Sequence, residues 1–180
     1  MTEDPEYLEQ KTRIALAIGM FLYAFNQIEL MTYVALNAVC DEPFLARIAQ
    51  TEYLFEARRA LLVRILEWKR AVPVDVLEEW KAAWEETRVL AEQRNHIAHG
   101  QISMLGKPEE PDEQRFGVAS IRKVGKPDFN ISLATIEALV PKARASTNRL
   151  SAVIERVRAC PWKDELVPRS RFKSEGASQE

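Results

Sequence analysis

Apolar residues recur at alternating steps of four and three along the first forty residues of the chain, and no other feature limits the fold more. Side chains spaced in this way share one face of an α-helix, so the pattern predicts one long helix that packs against other helices. We expect it to begin within residues 5–9, after a cap at Asp4, and to end before Pro43. The members of this stripe are Ile14, Ile18, Phe21, Phe25, Ile28, Thr32, Ala35 and Val39.

Three more long helices follow from the same periodicity. Thr51 and Thr135 are residue types that cap a helix, and Pro73 can occupy a first helical turn. Six glycines among 180 residues leave few breaks in these segments. The chain is therefore predicted to be all-α, an up-and-down helical bundle of four main helices. The additional helices are expected over residues 52–70, 73–99 and 135–160, and a shorter one over residues 44–50.

Residues 101–133, between the third and last long helices, have a different pattern. Two short segments, 101–105 and 116–124, alternate apolar and polar residues as strands do, and a Gly-Lys-Pro sequence at 125–127 predicts a turn. A small β-hairpin or loop insertion is therefore expected here. Gly100 is expected to end the third helix as a left-handed cap.

Length and charge limit the function classes. A chain of 180 residues is one domain, predicted over residues 1–162, followed by a charged, polar tail over 163–180 that is expected to be disordered. A net charge of −2 argues against indiscriminate nucleic-acid binding. The charge is unevenly distributed, however, because residues 115–173 contain thirteen Lys and Arg but only five Asp and Glu. This basic third could meet phosphates, or it could form a solvated helix face and tail.

The chain is expected to be soluble and cytoplasmic, without membrane contact. The first predicted helix comes nearest to a membrane-spanning segment, but Asn26, Gln27 and Glu29 interrupt its apolar run. The N-terminus is acidic and therefore unlike a secretory signal. Two cysteines, Cys40 and Cys160, provide neither metal-ligand spacing nor a disulfide framework, so both are expected to be free thiols.

Charged residues interrupt two of the predicted apolar stripes. Glu29 stands where an apolar residue is expected on the first helix, and Arg94 continues the stripe of the third helix. An arginine fork on a carboxylate is the usual way to bury either group. We therefore predict that Glu29 contacts Arg94. The third-helix stripe contains Leu77, Trp80, Trp84, Thr87, Ala91, Arg94 and Ala98.

The end of the third helix holds the residue types that RNA cleavage needs. His99 can take or give a proton near neutral pH, whereas Arg94 can hold a phosphate but cannot act as an acid or base. Asn95 shares a face with His99 and can hydrogen-bond a ligand or orient that imidazole. Arg94 and His99 are five residues apart, so their directions differ by roughly 140° and a second subunit could supply the missing half. The structural alternative is a buried ion pair with a terminal histidine that meets the helix dipole.

The run Arg94-Asn95-His96-Ile97-Ala98-His99 resembles the R-x4-6-H motif of HEPN domains (higher eukaryotes and prokaryotes nucleotide-binding). The segment at residues 25–29, which ends in Glu29, is similar to the acidic position of many HEPN first helices. The resemblance covers the bundle, roughly residues 8–160, and does not extend to the insertion. It implies a metal-independent endoribonuclease without a cofactor, whose RNA site lies in the cleft between the two subunits of a homodimer.

The resemblance also implies roles for individual residues. Arg94 and His99 match the active-site pair, Asn95 matches the polar third member, and Glu29 would be a supporting contact. His96 falls in the variable spacer and inherits no role. Many HEPN proteins are toxins or phage-defence nucleases, often with a neighbouring antitoxin, whereas others bind nucleotides or have lost activity.

Three functions are therefore consistent with the sequence. The first is a homodimeric HEPN ribonuclease that acts as a toxin or phage-defence factor and has an antitoxin or other protein partner. The second is a non-catalytic HEPN module that binds a nucleotide, RNA or a partner protein. The third is a structural helical dimer with Trp80 and Trp84 in its interface.

Overall fold

The chain folds mostly into helices, and the predicted bundle of four main helices is confirmed. The tail predicted over 163–180 lies outside the described residues. The short helix predicted over 44–50 also lies outside them, except for Arg47, which is helical. The computed structural model describes residues 5–40, 47, 51, 54–69, 72–106, 110–120 and 129–160. The long helices are α1 (Pro5–Val39), α2 (Phe55–Trp68), α3 (Val74–His99) and α5 (Leu133–Ala159), and α4 is one turn at Asp112–Arg115.

The predicted stripe of α1 faces the interior of the bundle. Seven of its eight members are buried, and Ile18 is partly exposed. α1 packs most extensively on α5. Arg13 near the start of α1 pairs with Glu137 near the start of α5, and Tyr23 and Arg144 line a cleft further along both helices. These two helices therefore run in the same direction.

α1 is also long and apolar enough, by length and composition, to cross a membrane over Tyr7–Val39. The polar residues that interrupt its sequence therefore do not exclude a membrane span by themselves. A core helix of a soluble protein passes the same test, and 33% of the most apolar window is buried inside the fold.

α2 begins three residues later than predicted. Leu54 occupies its N-cap without a side-chain hydrogen bond, so the predicted cap at Thr51 is wrong. Arg58 of α2 is buried although it is charged, since only 4% of it is exposed. Arg58 Nε donates a hydrogen bond to Thr32 Oγ1 at 3.1 Å, and its guanidinium lies 4.9 Å from the centre of the Tyr33 ring. These contacts offset the cost of burying the charge.

Trp80 and Trp84 lie in the core rather than at a surface. Both side chains are fully buried, and their rings meet edge to face with centroids 5.7 Å apart. Such a pair contributes about 0.5–1.5 kcal/mol beyond the burial of its area. A structural dimer with these two residues in its interface is therefore contradicted. Trp68 near the end of α2, by contrast, is 76% exposed.

The insertion between α3 and α5 is confirmed, but it is a three-stranded antiparallel sheet rather than a hairpin. The third strand has four residues and runs directly into α5, so its alternation is too short to separate from the helix by pattern. Ser132 is the N-cap of α5 and its Oγ accepts a hydrogen bond from the Thr135 amide at 3.3 Å, so the predicted cap at Thr135 is wrong. The strands, in sheet order, are β1 (Gln101–Met104), β2 (Phe116–Ser120) and β3 (Phe129–Ser132).

Candidate active site at the end of helix α3

The last turn of α3 is fixed by its neighbours in the fold. Ile97 is buried, α3 ends at His99, and β1 begins directly after Gly100. Gly100 is extended, with φ −90° and ψ 169°, so the predicted left-handed cap is wrong. Glycine is needed here for space, because a Cβ would overlap the Val118 side chain and lie 2.8 Å from the His96 carbonyl oxygen. β2 therefore packs directly on the backbone that follows His99.

The predicted contact between Glu29 and Arg94 is present. Arg94 Nη2 lies 4.0 Å from Glu29 Oε1, which is an ion-pair distance but longer than a hydrogen bond. Contrary to the prediction, neither side chain is buried, since 33% of Arg94 and 30% of Glu29 is exposed. The expected bidentate contact of the guanidinium with the carboxylate does not form either. Both residues stand at the margin where the core meets solvent. A partly exposed pair of this kind contributes at most about 1 kcal/mol, so Glu29 orients Arg94 without saturating it.

Asn95 forms a small polar cluster with Arg94. Arg94 Nη1 donates a hydrogen bond to Asn95 Oδ1 at 3.2 Å. Asn95 therefore orients the guanidinium, and not the His99 imidazole. Arg94 Nε is buried and has no hydrogen-bond partner among the described residues. An unpaired buried donor costs about 1–3 kcal/mol, so hydrogen bonds within the described part of the chain do not saturate Arg94.

His99 is exposed at the last residue of α3 and makes no hydrogen bond to another described residue. Within one chain the structure brings Glu29, Arg94 and Asn95 together, and no hydrogen bond or ion pair joins His99 to these three residues. The helix end thus presents a cation that can hold a phosphate and an imidazole that can exchange a proton, on different sides. This arrangement has the chemistry of half an active site.

Comparison with family models, with curated proteins and with solved structures gives no match to this chain. The resemblance to HEPN domains therefore rests on the motif at residues 94–99, on Glu29 and on the helical bundle that positions them. Among the residues that the structure describes, no three His, Cys, Asp or Glu side chains form a group that could hold a metal ion.

His96 has a packing role that sequence reasoning missed. Its ring stacks on Phe129 of β3, with centroids 3.9 Å apart and 19° between the planes. The stack ties the last turns of α3 to the far strand of the sheet. The predicted hairpin did not include β3, and the aromatic residue Phe129 in that strand was the one sign in the sequence of a partner for His96.

We expect His96→Ala to lower the free energy of unfolding by about 1 kcal/mol, because it removes the ring stack. His96→Phe keeps an aromatic ring and is the control, with a stability expected within about 0.5 kcal/mol of the wild type. Urea unfolding followed by circular dichroism measures both variants. Equal stability of the wild type and His96→Ala would contradict the packing role.

Two arginines of α5, Arg149 and Arg156, are paired with carboxylates of α3. Arg156 contacts Asp75 at 2.7 Å and also Glu79, and Arg149 pairs with Glu86. The hydrogen bond to Asp75 raises the pKa of Arg156 above its usual value. These pairs favour a solvated, ion-paired helix face over a phosphate-binding patch in this part of the basic C-terminal third.

Proposed function

We propose that this protein is a metal-independent endoribonuclease of HEPN type that cleaves RNA in a cleft between two copies of the chain. Arg94 supports this most directly. Its side chain is one-third exposed and is oriented by Glu29 and Asn95, and its buried Nε has no hydrogen-bond partner among the described residues. An arginine in this state can accept a phosphate without giving up a stronger partner.

Cleavage needs a base, an acid and a cation, and two copies of the motif would provide them. The imidazole of one His99 takes the proton of the ribose 2′-hydroxyl, whose oxygen forms a bond to phosphorus. The Arg94 guanidinium and the Asn95 amide stabilise the negative charge that develops on the phosphorane oxygens. The bond from phosphorus to the 5′-oxygen breaks, and the protonated His99 of the second copy gives its proton to that oxygen. The products are a 2′,3′-cyclic phosphate and a free 5′-hydroxyl.

We further propose that the protein acts in the cytoplasm as a toxin or phage-defence factor. The stripe of α1 supplies seven buried residues to the bundle core, which favours a soluble protein over a membrane span. Unrestrained cleavage of cellular RNA would harm the host, so an antitoxin or another protein partner would hold the enzyme inactive until it is needed.

Incubation of the purified protein with structured and single-stranded RNA in EDTA tests the ribonuclease. We expect fragments that end in a 2′,3′-cyclic phosphate, because no step uses a metal. Binding of RNA or a nucleotide without cleavage would favour the non-catalytic HEPN module instead. Intact RNA with no binding, across all substrates, would overturn both functions.

The dependence of the cleavage rate on pH is expected to change slope near neutral pH. An imidazole changes its charge between about pH 5 and pH 8, so the base is lost at the low end and the acid at the high end. Single-turnover rates across this range measure the effect, and circular dichroism at each pH controls for unfolding. A flat profile with chemistry rate-limiting would exclude His99 as a proton-transfer group.

A further inference from the structure

The side of α1 that faces away from the bundle is apolar and carries no charge at its centre. From Ile14 to Cys40, Glu29 is the only charged residue. A helix on the surface of a monomer normally presents charged residues to water, and contiguous exposed apolar surface marks an interaction site. We call this surface the outward face of α1, and its members are Leu8 (53% exposed), Leu16 (64%), Met20 (43%), Tyr23 (68%), Leu30 (50%) and the half-buried Gln27. The exposed polar residue Asn26 lies beside them.

The spacing of the outward face matches the seam of a contact between two helices. From Leu16 to Leu30 its members step four, three, four and three residues, which is the repeat of a coiled-coil seam. This part of the row is about 21 Å long. A straight apolar row of this length suits a second helix better than a compact small molecule.

A second copy of the chain is the partner that this face fits. A two-fold axis sets the same surface of two copies against each other, so a charge at its centre would meet its like. The outward face avoids this, because Glu29 lies at its side and is oriented toward Arg94. The Gln27 amide both donates and accepts hydrogen bonds, so it can pair with its own copy. A membrane surface or RNA would instead be matched by a row of Lys or Arg along the face. Arg13 near its start is paired with Glu137, and no Lys or Arg occurs between Ile14 and Cys40.

A cleft beside the outward face could receive a protruding side chain of the second copy. It has a volume of about 350 Å³ and lies between α1 and α5. Its walls include Leu16, Met20 and Pro141, together with the ion pair of Arg13 and Glu137. Tyr23 is the most exposed member of the face and lies one turn from Met20. A protrusion and a recess on the same surface make it self-complementary, as a two-fold interface requires.

The area of the face is sufficient for a weak but specific dimer. From Leu8 to Leu30 the helix is about 33 Å long. Half the surface of a helix of this length and about 10 Å diameter is roughly 500 Å². Two copies would therefore bury about 1,000 Å² in total, which reaches the lower limit for a biological interface.

We infer that two copies of the chain associate through the outward faces of their α1 helices. The inference rests on the proposed function in one respect, since that function requires a second copy, and it names the surface that holds the copy. Glu29 precedes Leu30, so the cluster of Glu29, Arg94 and Asn95 lies beside this interface. Dimerisation therefore brings a second protein surface next to the exposed guanidinium.

Light scattering coupled to size exclusion tests the interface through the mass in solution. The wild type is expected at twice the chain mass of 20.6 kDa. Tyr23→Glu and Leu30→Glu place a charge within the apolar face and are expected to give monomers with an unchanged circular dichroism spectrum. The matched controls, Trp68→Glu and Val89→Glu, replace residues of similar exposure (76% and 49%) outside the face and are expected to remain dimeric.

Two results would overturn the inference. One is a monomeric wild type at about 100 μM, a concentration at which even a dimer with a weak, micromolar Kd would form. The other is a dimer in which the face variants and the controls behave alike. If the wild type is monomeric, its binding to phosphatidylcholine vesicles would identify a membrane as the occupant of the face. A dimer that leaves RNA intact would keep this interface and remove the nuclease, whereas a monomer that cleaves RNA would do the reverse.

Discussion

Replacement of His99 by alanine is expected to slow RNA cleavage by about 10²–10⁴-fold, because it removes the proton-transfer group. The fold should survive, since His99 is exposed and makes no hydrogen bond to another described residue. Arg94→Ala is expected to slow cleavage by about 10²–10³-fold, because it removes the charge that stabilises the phosphorane. Arg94→Lys should recover part of this loss, because an ammonium group restores the charge but not the planar set of donors.

Arg88→Ala is the matched control for these variants. Arg88 lies on the same helix, and 40% of its side chain is exposed compared with 33% for Arg94. It is paired with Glu85 and Glu92, and the hydrogen bond to Glu85 raises its pKa above the usual value. We expect its removal to leave the single-turnover rate in EDTA unchanged. Equal losses in Arg88→Ala and Arg94→Ala would point to general positive charge, and a wild-type rate in His99→Ala would remove His99 from the mechanism.

Gly100→Ala is expected to lower the free energy of unfolding by about 1–3 kcal/mol and to reduce cleavage as well. The added Cβ would lie 2.8 Å from the carbonyl oxygen of His96 and 3.0 Å from that of Ala119. Both are backbone atoms and cannot rotate away as a side chain can. α3 and β2 must therefore separate, and His99 moves with the end of α3.

Val118→Ala distinguishes the backbone contacts from a side-chain overlap. The Cβ added by Gly100→Ala also overlaps Val118 Cγ1. A double variant that combines Gly100→Ala with Val118→Ala relieves this side-chain overlap but leaves both backbone contacts in place. We expect the double variant to remain less stable than Val118→Ala in urea unfolding. Stability equal to that of Val118→Ala would mean that a movable side chain accounts for the whole effect of Gly100→Ala.

The periodicity of the sequence predicted the helices well, because burial repeats along a helix at a fixed spacing. The stripe of α1 is the clearest case, with its side chains from Ile14 to Val39 directed into the core. The same method failed where two distant segments meet. The need for glycine at residue 100 comes from β2, and the burial of Arg58 comes from Thr32 and Tyr33 on another helix. A local pattern carries no information about such contacts.

The candidate site shows the same division. Two charges on two apolar stripes correctly predicted that Glu29 and Arg94 meet, since each needed a partner. Their exposure could not be predicted, because it depends on how closely the other helices pack around these positions of α1 and α3. The direction of the Asn95 side chain, toward Arg94 rather than His99, is a rotamer choice that residue spacing does not determine.

The ion pairs between α3 and α5 determine how binding of RNA should respond to ionic strength. Arg149 and Arg156 already have carboxylate partners, so a phosphate would gain little from either. In the part of the chain that the structure describes, Arg94 and exposed cations such as Lys142 and Arg144, which pair with no carboxylate there, are then the candidates for a direct phosphate contact. Each such contact with single-stranded RNA lowers the logarithm of the binding affinity by about 0.7 for every tenfold rise in salt concentration. With few contacts the dependence is shallow, so RNA would be held weakly but with similar affinity in dilute buffer and in the salt of a cell.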